Sequence, residues 1–216
     1  MKQDTRTGIS PMRLAGRWRG LIAMSAIAAT AAIAALVLPA IAQQPSDPPA
    51  WAARWTANNE LILPTDYRYW VFVGAPLTPN GLNNGTAGFP EIHNVYIPRP
   101  VLDNYLRTGA WRDGDIWVKE LQLLQPGEFP DGSRNESSGR GFFPAAFNGL
   151  DVMVMDSRRC AETRNWCFFN FGHRPEPYDP VAAIAPRAAC SACHEATADA
   201  DMHFKRFYTI LSQVRR

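Results

Sequence analysis

The sequence predicts a single α+β domain, mainly an antiparallel sheet with a few helices. Three observations carry this. Five short runs rich in β-branched and aromatic residues are separated by clusters of turn residues. Only three stretches have helical character and none is long, so strands do not alternate with crossover helices. The chain has 216 residues, 46% of them hydrophobic, and no internal repeat, which suits one packed core.

Residues 1–42 read as an export signal. Arg13, Arg17 and Arg19 precede an Ala-rich apolar run, Leu21 to Leu38, and Ala40-Ile41-Ala42 supplies a small-residue cleavage pattern. The run is nearly long enough to span a bilayer, so the alternative is a retained anchor. Cleavage removes five basic residues and one acidic one, taking the net charge from +2 to −2. No basic patch for nucleic acid is left. Export leads to an oxidising compartment and, after cleavage, to a chain without a membrane segment.

Residues 43–59 hold a polar, Pro-rich leader and the start of a short helix, Trp51 to Leu61, ending at Pro64. Residues 60–216 form the functional domain. Its first strand is Tyr69 to Val73, followed by the turn-rich loop APLTPNGLNNGTAGFP and a second strand, Ile92 to Ile97. Val101 to Arg107 is a short helix with Gly109 as its stop. Asp115 to Leu124 is the third strand. Alternation puts Ile116 and Val118 on one face, and Trp117 and Lys119 on the other. Residues 125–141 read as an exposed loop. Asp151 to Met155 and Asn165 to Phe171 are two further strands. The loop from Cys160 to Cys167 joins them, and the six residues between these cysteines permit a disulfide without requiring it. A Pro-rich segment, Pro175 to Pro186, then leads to the C-terminal region. There Asp199 to Val214 reads as a closing amphipathic helix with Met202, Phe207, Ile210 and Leu211 inward.

The chemistry sits between those last two segments. Cys190-Ser191-Ala192-Cys193-His194 has the C-x-x-C-H spacing, which suggests a haem held by two thioethers, with His194 on one face of the iron. A zinc half-site or a redox C-x-x-C is the alternative. Zinc would need two more ligands nearby, and the other cysteines lie beside Trp and Phe in a hairpin. The opposite face of the iron decides between electron carrier and catalyst. Met153, Met155 and Met202 read as core residues. His203 is too close to His194 to swing over the ring, and His173 is a loop residue. His93, on a strand between apolar neighbours, is either a hydrogen-bonded strand histidine or a base in the distal pocket.

Longer matches run through most of this domain: ELILPTDYRYWVFVG (60–74), LTPN (77–80), EIHNVYI (91–97), RTGAWRDGDIWVKEL (107–121), GLDVMVMDSRR (149–159), NWCFFNF (165–171), and CSACH with DMHFKRFYTIL (190–211). In these residues, their order and their spacing, the chain resembles the cytochrome P-460 family of periplasmic mono-haem c-type cytochromes. The resemblance implies a mainly antiparallel homodimer with one covalent haem c, its iron five-coordinate. It implies hydroxylamine oxidation to nitrous oxide, with nitric oxide or nitrite as side products and a small soluble cytochrome as electron acceptor.

Carried over by position, Lys119 is the lysine cross-linked to the haem ring, Asp151 the carboxylate of the distal pocket, and Ala185 the small residue that keeps the pocket open. Two departures stand out. Asp151 replaces the expected Glu and is shorter by one methylene, and His93 stands where the family often has Arg. The related cytochrome c′-beta shares the fold, lacks the cross-link and binds nitric oxide under an aromatic cap. It supplies the alternative reading, a non-catalytic gas-binding protein.

Overall fold

In a computed structural model, residues 48–214 are described, so the predicted export signal lies outside the described residues. Among the described residues no helix is long and apolar enough to cross a membrane.

Among the described residues, nine strands and two α-helices follow in chain order: β1 (Leu61–Ile62), β2 (Val71–Gly74), β3 (Ile92–Ile97), α1 (Arg99–Thr108), β4 (Ile116–Leu124), β5 (Arg134–Glu136), β6 (Gly139–Gly141), β7 (Pro144–Met155), β8 (Trp166–Asn170), β9 (Val181–Ala182) and α2 (Ser191–Thr197). The principal sheet has the order β2-β3-β4-β7-β8, and each neighbouring pair is antiparallel. The class is α+β, as the strand pattern predicts.

Side-chain alternation gives the sheet two distinct faces. Ile116 and Val118 of β4 share one face with Leu150, Val152 and Val154 of β7, under a cluster that includes Leu61, Tyr67 and Tyr178. Trp117 of β4 and Phe168 of β8 lie on the other face. α1 covers that face with Val101, Leu102 and Tyr105, together with Met202, Tyr208 and Leu211 of the C-terminal segment. α1 stops where predicted, because Gly109 adopts the left-handed conformation (φ 70°) and its N–H closes on the Tyr105 carbonyl.

Two predicted helices are absent. Between Trp51 and Leu61 the chain reverses instead. The Thr56 hydroxyl accepts the Asn58 and Glu60 N–H groups, Asn59 turns left-handed, and Trp55 bridges to Leu61. Thr and Asn side chains offer the backbone local partners that compete with a helix. The closing segment is two 3₁₀ turns, Lys205–Phe207 and Thr209–Gln213, rather than one amphipathic helix. Met202 and Leu211 are buried as expected, but Phe207 is 49% exposed. Met202 sits at φ 70°, which no α-helix accommodates. The region 125–141, read as loop, carries the small ribbon β5–β6, and β7 begins seven residues before its predicted start.

Cys160 and Cys167 are bonded across the β7–β8 connection with Cα atoms 5.4 Å apart, and both are buried. Chain-entropy arguments give a loop this short about 2.5 kcal/mol of stabilisation. The double variant Cys160→Ala/Cys167→Ala should lower the guanidinium midpoint accordingly at unchanged slope. Equal midpoints for variant and wild type would show that the bridge contributes nothing.

Candidate haem site

The C-x-x-C-H motif opens α2. Cys190 precedes its first turn, so Cys190, Cys193 and His194 fall at helical spacings of three and four and face one way. All three line a cavity of about 320 Å³ between α2, the 202–208 segment and the sheet. Both cysteines are free thiols, Cys190 half-buried and Cys193 exposed. Burial pushes the Cys190 thiol up and the His194 imidazole down from their ordinary values. His194 is therefore neutral at neutral pH, the form that can ligate a metal.

The ring of His194 is fixed from three sides. Its Nδ1–H donates to the Met202 carbonyl at 2.8 Å, and Phe168 and Phe204 flank it at 4.7 and 5.0 Å between ring centroids. That hydrogen bond sets the tautomer and leaves the Nε2 lone pair as the available donor, as histidine ligands require. The left-handed turn at Met202 aims this carbonyl, so the residue that ends the predicted helix serves the site. Thiol pair, oriented imidazole and apolar walls together fit a haem held by α2.

The sheet builds the opposite wall in rows across its strands. One row is Trp117, Met153 and Phe168, the last of them against His194. Two residues along lies Val95, Lys119 and Asp151, a displacement of roughly 7 Å at strand rise. Lys119 and Asp151 are direct cross-strand partners on the cavity face, with Nζ 2.8 Å from Oδ2. Asn170 holds the other carboxylate oxygen through Nδ2 at 2.7 Å. Lys119 Nζ lies 4.3 Å from the centroid of Phe89, a half-exposed ring contributed by the turn-rich loop.

His93 lines the same cavity. Its Nε2–H donates to the Phe89 carbonyl at 3.2 Å, which leaves Nδ1 as acceptor. Burial first, and then the Lys119 charge, lower its pKa, so it too is neutral near pH 7.

Ala185 packs beside this site rather than in its wall. Its N–H donates to the Phe168 carbonyl at 2.7 Å, and Ala189 supplies the small side chain at the cavity instead. His173 pairs with the buried carboxylate of Glu91 at 2.6 Å, outside the cavity lining. Met155 packs in the core, whereas Met153 lines the cavity in the row nearest His194. His203 lines the cavity as well, a position the sequence pattern does not reveal. It is boxed by Trp111, Trp117 and Trp166 at 4.5–4.8 Å, and burial holds its pKa down at about 4.

An antiparallel sheet backing a C-x-x-C-H helix, with one oriented imidazole and an apolar cavity, defines a haem-binding cytochrome. The family model described as Cytochrome P460 matches residues 64–205, so the chain belongs to the cytochrome P460 family. No curated protein matches the chain.

Proposed function

We propose that the protein is a periplasmic c-type haem oxidoreductase that oxidises hydroxylamine, chiefly to nitrous oxide. The observation that supports this best is the Lys119–Asp151 pair on the cavity wall, one row removed from the side that holds His194. A bound haem supplies an iron that accepts electrons from hydroxylamine nitrogen. Cys190 and Cys193 would hold that haem as thioethers, and His194 would ligate its iron. The residues do the rest. Oxidation to nitrous oxide releases as many protons as electrons, and a positioned base must take them. The carboxylate of Asp151 is that base, with His93 Nδ1 as a second acceptor. Lys119 would hold the ring of that haem through its side-chain nitrogen, as the family resemblance implies; no longer an ammonium, that nitrogen would leave Asp151 Oδ2 free of the ion pair to receive a proton. Electrons leave to a small soluble cytochrome, and the protein works as a homodimer.

Two measurements test the cofactor's attachment. Acidified organic solvent should leave the haem with the protein, and free haem in the organic layer would end the thioether assignment. Peptide mapping should find the segment containing Lys119 joined through haem to the segment containing Cys190 to His194. Full recovery of an unmodified Lys119 peptide from matured protein would remove the cross-link.

Phe89 supports the other reading, since an aromatic ring beside the cavity is what a nitric-oxide-binding protein of the c′-beta type uses. Anaerobic dye reduction by hydroxylamine, with nitrous oxide quantified, separates the two. Tight nitric oxide binding without hydroxylamine-dependent reduction would select the gas-binding role.

A further inference from the structure

The reaction proposed above releases protons inside a cavity, and they need a way out. A cluster at the start of β3 joins the cavity to the surface. Glu91 stands two residues before His93, and its side chain is buried, 3% exposed. Its Oε1 lies 2.6 Å from Nε2 of His173 and accepts from Asn148 Nδ2 at 3.1 Å. Its Oε2 is buried with no hydrogen-bond partner among the described residues. Leaving such an atom unpaired costs about 1–3 kcal/mol, which a carboxylate placed for stability alone does not explain.

Local backbone features assemble the cluster. Asn148 is the extra residue of a bulge in β7, where Leu121 pairs with Gly149 and Gln122 with Phe147, and a bulge re-aims the side chain it carries. A Cβ on Gly149 would meet the Gly172 carbonyl at 3.2 Å and Cα of His173 at 3.3 Å, so the approach that seats His173 requires glycine there. The His173 side chain is 43% exposed and reaches water. At the other end His93 lines the cavity with Nδ1 as its open acceptor. Phe89 stands between the two histidines, edge-on to His93 at 5.7 Å and stacked on His173 at 6.2 Å. Its apolar ring bars direct exchange and leaves Glu91 as the group that serves both. Burial, then Lys119, lower the His93 pKa, and the Glu91 charge opposes them, so imidazole and carboxylate sense each other. The charges on either side are paired, Lys119 with Asp151 at the cavity and Arg174 with Asp179 beside His173.

We infer that Glu91 and His173 relay protons between His93 and solvent. Neither touches the substrate, and both act through His93. His93 gives the proton on Nδ1 to Glu91 Oε2. The carboxyl turns and passes a proton to Nε2 of His173, and the imidazolium so formed releases its Nδ1 proton to water. A turn of the exposed ring returns a free nitrogen to Glu91. Each N–H or O–H bond that breaks is matched by one that forms, and no electron moves. The inference deepens the proposed function by giving its protons an exit, and it rests on that reading for the outward direction of flow.

The test uses no hydroxylamine, so its outcome is separate from whether the protein oxidises it. Matured, oxidised protein is mixed in weakly buffered solution with reduced methyl viologen, a one-electron donor that carries no proton. Haem absorbance reads reduction, and a pH-indicator dye reads proton uptake, which runs the same relay inward. Wild type should take up protons as fast as it is reduced, because the added electron favours the protonated forms of Asp151 and His93. His173→Ala should be reduced at the wild-type rate but take up protons about tenfold or more slowly, a smaller loss than removal of a group at the reacting atoms. A bulky morpholine buffer, too large to reach the iron, should restore its uptake by standing in for the imidazole. His173→Gln keeps a hydrogen-bond partner for Glu91 but carries no proton, and should be as slow as His173→Ala. Glu91→Gln should be slow and stay slow in buffer, since the inner link is missing. Wild-type uptake in His173→Gln would overturn the relay, as would a wild type that takes up no proton on reduction. Slow uptake in His173→Ala that buffer does not restore would give His173 a structural role, and would also defeat it.

Discussion

Asp151→Asn is expected to bind hydroxylamine and turn it over about a hundredfold to ten-thousandfold more slowly than wild type, the usual loss when a positioned acid–base group is removed. The substitution keeps the size of the side chain and an oxygen to accept the Asn170 hydrogen bond. It removes the basic oxygen that faces Lys119 across the sheet. His93→Ala should cost less, because His93 already commits Nε2–H to the Phe89 carbonyl and offers one nitrogen only. The pH dependence separates the two residues. The His93 pKa is lowered, so its neutral form persists below the ordinary histidine value. Any share it takes in turnover should therefore survive mild acidification, and be lost only as the pH falls through that lowered pKa. Steady-state dye reduction and a hydroxylamine binding titration, both on protein with the wild-type visible spectrum, make the measurement. An Asp151→Asn protein with wild-type turnover would remove the carboxylate from the mechanism and leave His93 as the base.

The ligand-bearing motif was legible in the sequence because covalent chemistry fixes its spacing, and spacing survives translation into structure. The alternation in DIWVKEL placed Trp117 and Lys119 on one face of β4, which holds because β4 is an inner strand with both faces covered. The pairing of Lys119 with Asp151 was not legible. It depends on the register between two strands, which pairs residues 32 positions apart and which no local pattern encodes. The carbonyl that orients His194 was invisible for a related reason. Apolar periodicity from residue 199 to 214 argues for a helix, but a left-handed Met202 and the hydrogen bonds of Asp199 override it. The tryptophan box around His203 likewise assembles from β4, β8 and the segment after α1.

Glu120 is the largest structural feature that alternation alone hides, and it carries the last prediction. It neighbours Lys119 in β4 and points to the opposite face, where it is fully buried. Tyr67 and Tyr178 donate to its Oε1 at 2.6 and 3.1 Å, Arg68 adds a further hydrogen bond to that oxygen, and Arg68 Nε donates to Oε2 at 3.2 Å. One carboxylate thus ties the 3₁₀ turn at Tyr67–Tyr69 and the Pro-rich segment to the centre of the sheet, directly behind the wall that presents Lys119. Burial, and then the carboxylate itself, raise both tyrosine pKa values, so neither phenol ionises near neutral pH.

Glu120→Ala would leave two buried hydroxyls unsatisfied and a void beneath them. Breaking a buried ion pair from one side typically costs about 3–5 kcal/mol. Arg68 is 39% exposed, so its charge can return to water, which lowers the expected loss to about 2–4 kcal/mol. Glu120→Gln keeps the volume and one good acceptor, and should lose roughly half as much. Guanidinium unfolding followed by tryptophan fluorescence reads both losses, with the haem spectrum confirming that the cavity side is intact. An Ala variant within about 0.5 kcal/mol of wild type would mean that the tyrosines and Arg68 find water in its place, since surface substitutions lie in that range. The ordering, Ala well below Gln and Gln below wild type, is expected because the cluster acts through filled hydrogen-bond positions and packing together.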